Sequence, residues 1–261
     1  MHVTRVNAGN GEFAVYPVEG NPAATIQFVW GHGWGHSHAQ FLPLARSVVQ
    51  SGPSLLLDFP GFGASPVPPE SWGTADYADA VAAWFATLPP ARRIWVGHSF
   101  GCRVGLQLAA RHPAAVDGLF LVSGAGLRPH RSPGKRLRLA ARRWAFKAGR
   151  ALLPEGPARE SLRQRLGSAD YARAGAMRPI LVRVVGEDLS EVAKQVSCPV
   201  ALVYGDRDRD TPPEMGERLR ALCPRATLSV LRGFDHHDIL TEGQHQVVHR
   251  LTEFAQKIAR A

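Results

Sequence analysis

The sequence contains no long apolar run and few cysteines. Among its 261 residues, no stretch reaches the roughly 18 consecutive apolar residues that a membrane-crossing helix needs, and no apolar run of signal-peptide length follows the first residues. The three cysteines, Cys102, Cys198 and Cys223, are an odd number without metal-ligand spacing. The histidines also lack the spacing of a zinc site. We therefore expect a cytoplasmic protein with reduced thiols, no transmembrane segment, no bound metal and no cofactor.

The positive charge of the chain is confined to one segment. The formal net charge is +9, but residues 127–196 alone hold 16 basic and 6 acidic side chains, and residues 128–150 hold nine basic and no acidic ones. Such a block attracts anionic groups on phosphates, acidic proteins or membrane surfaces. Its other interpretation is a solvated helical face. Because no nucleic-acid-binding motif accompanies it, nucleic acid is not an expected partner.

Strand-like and helix-like patterns alternate along most of the chain. A continuous apolar strand such as residues 54–58 is typical of a parallel sheet that is covered on both faces. The alternation predicts an α/β protein with a mostly parallel central sheet flanked by helices. Residues 127–196 interrupt it with a helical, basic pattern. We therefore predict a core domain of residues 1–126 and 197–261 and a helical cap of residues 127–196. The predicted strands are 13–17, 26–30, 54–58, 94–96, 119–123, 200–204 and 227–231, and the predicted helices outside the cap are 39–50, 77–88, 100–111, 213–222 and 244–259.

A candidate nucleophile lies in Gly97-His98-Ser99-Phe100-Gly101, between a predicted strand and a predicted helix. This is the G-x-S-x-G pattern, in which a strained turn presents the serine at the N-terminus of a helix. The helix dipole there favours developing negative charge. The motif alone is weak, but the strand before it and the helix after it are the context that it requires.

A glycine-rich loop, Gly31-His32-Gly33-Trp34-Gly35, follows an earlier strand. Acyl transfer needs two backbone N–H donors aimed at the oxygen of the tetrahedral intermediate, one from the residue after the nucleophile and one from such a loop. We predict the N–H groups of Phe100 and Trp34 as these donors. His32, Gly33 and His98 are predicted to line the substrate-binding pocket.

Candidates for the acid and the base follow the last predicted strands. A serine hydroxyl needs a base, and the expected chain order is serine, acid, histidine. Three aspartates, Asp206, Asp208 and Asp210, share the loop after one strand, and two histidines, His236 and His237, share the loop after the next. From the residues alone, either histidine fits the base and one of the aspartates fits the acid.

Four blocks in this order resemble the α/β-hydrolase superfamily over nearly the whole chain outside the cap. The resemblance implies that the acid is Asp208, three residues after Gly205, and that the base is His236. Within the superfamily, the sequence is most similar to the esterases that cleave pimeloyl-acyl-carrier-protein methyl ester, although His98 stands where those esterases commonly have tryptophan. The four blocks are His32-Gly33-Trp34-Gly35, residues 58–65, Gly97-His98-Ser99-Phe100-Gly101 and residues 205–212.

These observations predict a serine hydrolase that cleaves a carboxylic ester or thioester through Ser99, Asp208 and His236 and an acyl-enzyme intermediate. The expected partner is a small-molecule ester, with an anionic or carrier-protein-bound acyl group received at the basic cap. Two alternatives are a non-catalytic ligand-binding protein on the same scaffold and a hydrolase of carbon–carbon bonds.

Overall fold

The computed structural model describes residues 3–9, 11–128 and 174–261. Eight strands form one sheet in the order β1-β2-β4-β3-β5-β6-β7-β8. Strands β1 and β2 are antiparallel to their neighbours, and β3 to β8 pair in parallel. The predicted α/β architecture is thus confirmed. The strands are β1 (Thr4–Ala8), β2 (Gly11–Val18), β3 (Ile26–Gly31), β4 (Ser54–Asp58), β5 (Arg92–His98), β6 (Gly118–Val122), β7 (Val200–Gly205) and β8 (Ala226–Leu231).

The helices cover both faces of the sheet. Helices α2, α3 and α6 pack on one face, and α1 and α7 pack on the other. Alternate residues of a strand therefore enter different cores: Trp95 faces α2 and α3, whereas Ile94 and Val96 face the opposite layer. The helices in the described part of the chain are α1 (Leu42–Ser47), α2 (Thr74–Phe85), α3 (Phe100–Arg111), α4 (Arg178–Gly186), α5 (Ser190–Lys194), α6 (Pro213–Leu222) and α7 (Gln244–Arg260).

Three elements depart clearly from the sequence prediction. Helix α2 spans Thr74–Phe85 and not the predicted residues 77–88. The predicted helix 39–50 is divided into a 3-10 turn, His38–Gln40, and the short helix α1. Pro43 lies in the first turn of α1, where a proline is tolerated because the N–H there has no helical acceptor. Strand β1 was not predicted, since its mostly exposed residues at the sheet edge carry no apolar pattern.

Part of the predicted cap is described, and it is attached to the core. Residues 174–196 contain a 3-10 turn (Gly175–Met177), α4 and α5. The carboxylate of Glu187 accepts hydrogen bonds from the backbone N–H and the hydroxyl of Thr74 at the start of α2. Arg103 of α3 donates to the carbonyl oxygen of Val184 at 3.1 Å. Residues 129–173, which include nearly all of the basic block, lie outside the described residues, so the cap boundaries stay a prediction.

None of the helices within residues 3–9, 11–128 and 174–261 combines the length and the apolar character needed to cross a bilayer.

Candidate active site

Ser99 occupies a strained turn between β5 and α3. Its φ of 47° and ψ of −100° lie outside the regions that L-residues ordinarily adopt, a conformation that costs on the order of 1–3 kcal/mol. The residue is partly exposed, while its neighbours on both sides are buried. Phe100 is the first residue of α3, where a backbone N–H has no acceptor within the helix. The turn thus presents the Ser99 side chain beside an N–H group at a helix N-terminus.

The glycines of this turn are required by close backbone approach. A Cβ atom on Gly97 would lie 2.7 Å from the carbonyl carbon of Gly101. A Cβ atom on Gly101 would collide with the carbonyl oxygen of Gly31 at the end of β3. We call the turn of residues 97–101 the elbow. Because β3 and β5 are paired with Gly31 opposite Gly97, the elbow and the glycine-rich loop begin side by side.

The structure brings Asp208 and His236 into direct contact. Nδ1 of His236 lies 2.8 Å from Oδ2 of Asp208, and both residues are buried. Asp208 follows β7 and His236 follows β8, two strands that pair in parallel, so their carboxyl ends meet at one edge of the sheet. The other oxygen, Oδ1, accepts from the backbone N–H groups of Asp210 and Thr211 at 2.9 and 2.8 Å.

The surroundings of Asp208 favour its ionised form. Burial by itself would raise the pKa of this carboxyl. The hydrogen bond and charge of His236, together with the N–H of Thr211, outweigh burial and lower the pKa to about 2. A carboxylate that stays ionised can hold an imidazole with its proton on Nδ1 and stabilise the imidazolium form.

The competing candidates lie in different surroundings. Asp206 and Asp210 are exposed, and Asp206 accepts a hydrogen bond from the N–H of Gly233 at 2.7 Å. His237 is also exposed, and its ring lies edge-on to that of His236 with centroids 5.2 Å apart. Of the candidate acids and bases, therefore, only Asp208 and His236 form a buried pair within the described residues.

The glycine-rich loop presents Trp34 next to Phe100. Their rings pack edge-to-face with centroids 5.5 Å apart. The N–H of Gly33 donates to Oε1 of Gln40 at 2.8 Å, so it is not directed at a substrate oxygen. Gly35 has a φ of 76°, a left-handed conformation that glycine adopts without strain, and it allows the chain to turn after Trp34. The loop geometry is compatible with the Trp34 N–H as an oxyanion donor, which stays a prediction.

The two histidines predicted to line the pocket are buried and bonded to protein groups. Nδ1 of His32 lies 2.7 Å from the carbonyl oxygen of Gly33, and its Nε2 accepts from the N–H of Phe59 at 3.0 Å. Burial lowers the pKa of His32 to about 4, so the ring is neutral at ordinary pH. Nε2 of His98 lies 2.9 Å from the carbonyl oxygen of His236. Contact of either side chain with substrate stays a prediction.

Two residues near the site were not found from the sequence. Thr211 contacts Asp208 and His236 through its hydroxyl, and its position three residues after Asp208 in a turn was the available signal. Gln40 contacts both Gly33 and His98, but nothing in the local sequence distinguishes it from a surface glutamine. Within the part of the chain that the structure describes, no group of three or more His, Cys, Asp or Glu side chains is arranged to hold a metal ion.

Sequence comparison identifies the family. Residues 28–260 match the profile described as the Alpha/beta hydrolase family, which is most of the chain. The protein therefore belongs to the α/β-hydrolase family, as the four sequence blocks predicted. An esterase from Exiguobacterium antarcticum has the same fold, with a TM-score of 0.75 and 18% identity, covering 97% of this chain and 99% of that one.

Curated relatives include esterases. A pimeloyl-[acyl-carrier protein] methyl ester esterase of Chromobacterium violaceum is 29% identical over 228 residues, which cover 82% of this chain and 88% of the relative. A 2-(acetamidomethylene)succinate hydrolase of Mesorhizobium japonicum is 26% identical over 224 residues, 79% of this chain and 80% of the relative. The predicted similarity to the first group is confirmed, and the protein is a member of a hydrolase family with esterase relatives.

Proposed function

We propose that this protein is a serine hydrolase that cleaves carboxylic esters or thioesters, with Ser99 as nucleophile, His236 as base and Asp208 as the acid of the triad. The observation that carries the proposal is the buried 2.8 Å contact between His236 and Asp208. It lies at the same end of the sheet as the strained Ser99 turn, and this end is where α/β proteins bind ligands.

The reaction proceeds in two halves. The Ser99 hydroxyl oxygen attacks the acyl carbon while Nε2 of His236 takes the hydroxyl proton. The N–H groups of Trp34 and Phe100 hold the oxyanion of the tetrahedral intermediate. His236 then gives the proton to the leaving alcohol or thiol, and the acyl group remains on Ser99. A water molecule, deprotonated by His236, then attacks the acyl carbon. The bond to the Ser99 oxygen breaks, His236 returns the proton to that oxygen, and the acid is released.

The primary test is hydrolysis of p-nitrophenyl esters from acetyl to dodecanoyl by wild type and Ser99→Ala. We expect wild-type turnover with an optimum in acyl length, and loss of turnover in Ser99→Ala with an unchanged circular dichroism spectrum. Turnover retained by the purified variant would refute Ser99 as nucleophile. A folded wild type that cleaves neither these esters nor an ester carried on acyl-carrier protein would favour a ligand-binding protein or a hydrolase of carbon–carbon bonds.

For the natural substrate, we propose an acyl group that is anionic or attached to an acidic carrier protein. The proposal is supported by the printed names of the esterase relatives and by the nine basic side chains of residues 128–150. Association through surface charges weakens as salt is added, because the Debye length shrinks from about 30 Å at 0.01 M to about 10 Å at 0.1 M.

Salt dependence tests this substrate class. kcat/KM for an ester carried on acyl-carrier protein should fall steeply between low and moderate ionic strength, while kcat/KM for p-nitrophenyl butyrate should stay nearly constant. An equal response of the two substrates would contradict a role for the basic block in substrate recognition.

A further inference from the structure

Three hydrogen bonds connect the glycine-rich loop to the loop of His236. The N–H of Gly33 donates to Oε1 of Gln40 at 2.8 Å. Nε2 of Gln40 lies 3.1 Å from Nδ1 of His98. Nε2 of His98 lies 2.9 Å from the carbonyl oxygen of His236. His98 is 1% exposed, so water does not compete for its ring nitrogens.

The groups at the two ends of this series of hydrogen bonds, the His236 carbonyl and the Gly33 N–H, determine which atoms donate and which accept. A carbonyl oxygen only accepts, so Nε2 of His98 must carry a proton. Burial lowers the pKa of His98 well below its ordinary value, and the nearby charge of a protonated His236 lowers it further. The ring is therefore neutral, and its Nδ1 carries a lone pair that accepts from the Gln40 amide. The same amide orientation points Oε1 at the N–H of Gly33, as that donor requires.

The chain joins three parts of the proposed catalytic apparatus. Gly33 precedes the predicted oxyanion donor Trp34, His98 precedes the nucleophile Ser99, and the last acceptor is the backbone of the base His236. We propose that His98 and Gln40 are positioning residues. They hold the glycine-rich loop of residues 31–35, which we call the oxyanion loop, and the base in register with the nucleophile. The inference rests on the proposed function for the reaction that it serves.

Packing around His98 supports this role over substrate contact. Both ring nitrogens are engaged by protein groups, and the ring lies against that of His236 with centroids 4.8 Å apart. A Cβ atom on Gly33 would lie 2.7 Å from Nδ1 of His98, so the loop approaches the ring as closely as a glycine permits. A shift of the His98 ring would therefore displace the oxyanion loop and the His236 backbone together.

The first test needs no catalytic turnover. Nitrogen-15 NMR of the imidazole rings of Ser99→Ala, with His98→Phe used to assign the His98 signals, reports which nitrogen carries the proton. We expect His98 to hold its proton on Nε2 and a lone pair on Nδ1 at pH 6 to 8. A proton on Nδ1 would overturn the proposal, whether or not the protein proves to be an esterase.

The second test measures the contribution of each hydrogen bond of the His98 ring to kcat. It uses the protein with Ser99 intact, once turnover has been shown to depend on Ser99. His98→Gln places an amide donor near the position of Nε2, and His98→Asn places an oxygen acceptor near that of Nδ1, whereas His98→Phe supplies neither. We expect His98→Phe to lower kcat about tenfold or more with KM little changed, because a buried carbonyl loses its donor. His98→Gln and His98→Asn should each recover part of that loss.

A double-variant cycle shows whether Gln40 acts through His98. Gln40→Leu alone should lower kcat. In the His98→Phe background it should cause little further loss of kcat, because both changes interrupt the same series of hydrogen bonds. Fully additive effects, or a wild-type kcat in folded His98→Phe, would refute the positioning role. If His98→Phe does not fold, the cycle is run with His98→Gln, which lacks the acceptor near Nδ1 that Gln40 contacts. The tautomer in Ser99→Ala, assigned against that variant, still decides the proposal.

Discussion

Thr211 is hydrogen-bonded to both carboxylate oxygens of Asp208. Its backbone N–H donates to Oδ1 at 2.8 Å, and its hydroxyl lies 2.9 Å from Oδ2. The same hydroxyl lies 3.0 Å from the carbonyl oxygen of Ser123, which directly follows β6, and 3.1 Å from Nδ1 of His236. One buried side chain thus fixes the carboxylate orientation and connects three consecutive strand ends of the sheet.

Replacement of this hydroxyl should weaken catalysis more than it disturbs the fold. Thr211→Val keeps the shape of the side chain and the N–H bond to Oδ1 but removes the hydroxyl. We expect kcat for a p-nitrophenyl ester to fall about fivefold to tenfold, the loss that corresponds to one modest hydrogen bond. Thr211→Ser retains the hydroxyl and is the matched control. Equal losses in the two variants would point to packing rather than to hydrogen bonding.

Two of the three aspartates in the loop after β7, Asp208 and Asp206, should differ sharply in their contribution to turnover. Asp208→Asn removes the charge facing Nδ1 of His236 and favours the wrong imidazole tautomer, so kcat should fall by roughly a thousandfold to ten-thousandfold. Asp206→Asn changes an exposed group whose Oδ1 accepts from the N–H of Gly233, and an asparagine oxygen can do the same. Its kcat should stay close to wild type; the opposite order would move the assignment to Asp206.

Asp208 should also make stability depend on acid pH. Its pKa is about 2 in the folded protein and has a reference value of 3.8, so folding favours the ionised form. The resulting stabilisation, about 2 kcal/mol, is fully present above about pH 4 and is lost as the pH falls toward 2. In urea unfolding, the free-energy difference between wild type and Asp208→Asn should shrink by about 1 kcal/mol from pH 5 to pH 3. With Asp206→Asn as control, a constant difference for Asp208→Asn would contradict the lowered pKa.

Local sequence signals determine the elements nearest to the proposed chemistry. The predicted bounds of β4, α3 and α6 agree with the structure, because each has a strong apolar pattern and is closed by glycine, proline or a change of period. Asp208 and His236 could be found because the order of strands places their loops at one end of a parallel sheet. The choice among neighbouring aspartates and histidines, however, came from the family resemblance and not from local pattern.

Other features depend on contacts between distant parts of the chain. Helix α2 begins at Thr74, three residues before its predicted start, where Glu187, 113 positions later in the sequence, binds the N–H and hydroxyl of Thr74. Gln40 acquires its neighbours only when the 3-10 turn His38–Gln40 packs beside the elbow. Neither contact produces a periodic or local pattern in the sequence, so the sequence alone does not predict either contact.

The elbow glycines provide a last prediction, on stability. A methyl group at position 101 would meet the backbone carbonyl of Gly31, and backbone atoms of a central strand cannot move aside as a flexible side chain can. Gly101→Ala should therefore destabilise the protein by more than about 3 kcal/mol, which is rare for a change of one methyl group.

Gly186→Ala is the matched control, because a Cβ atom at this exposed end of α4 has no neighbour within 4 Å. Alanine there should be neutral or stabilising by up to about 1 kcal/mol. Thermal melting of the two variants beside wild type measures both effects, and a Gly101→Ala protein that melts with wild type would show that β3 and α3 are not in the close contact on which the elbow depends.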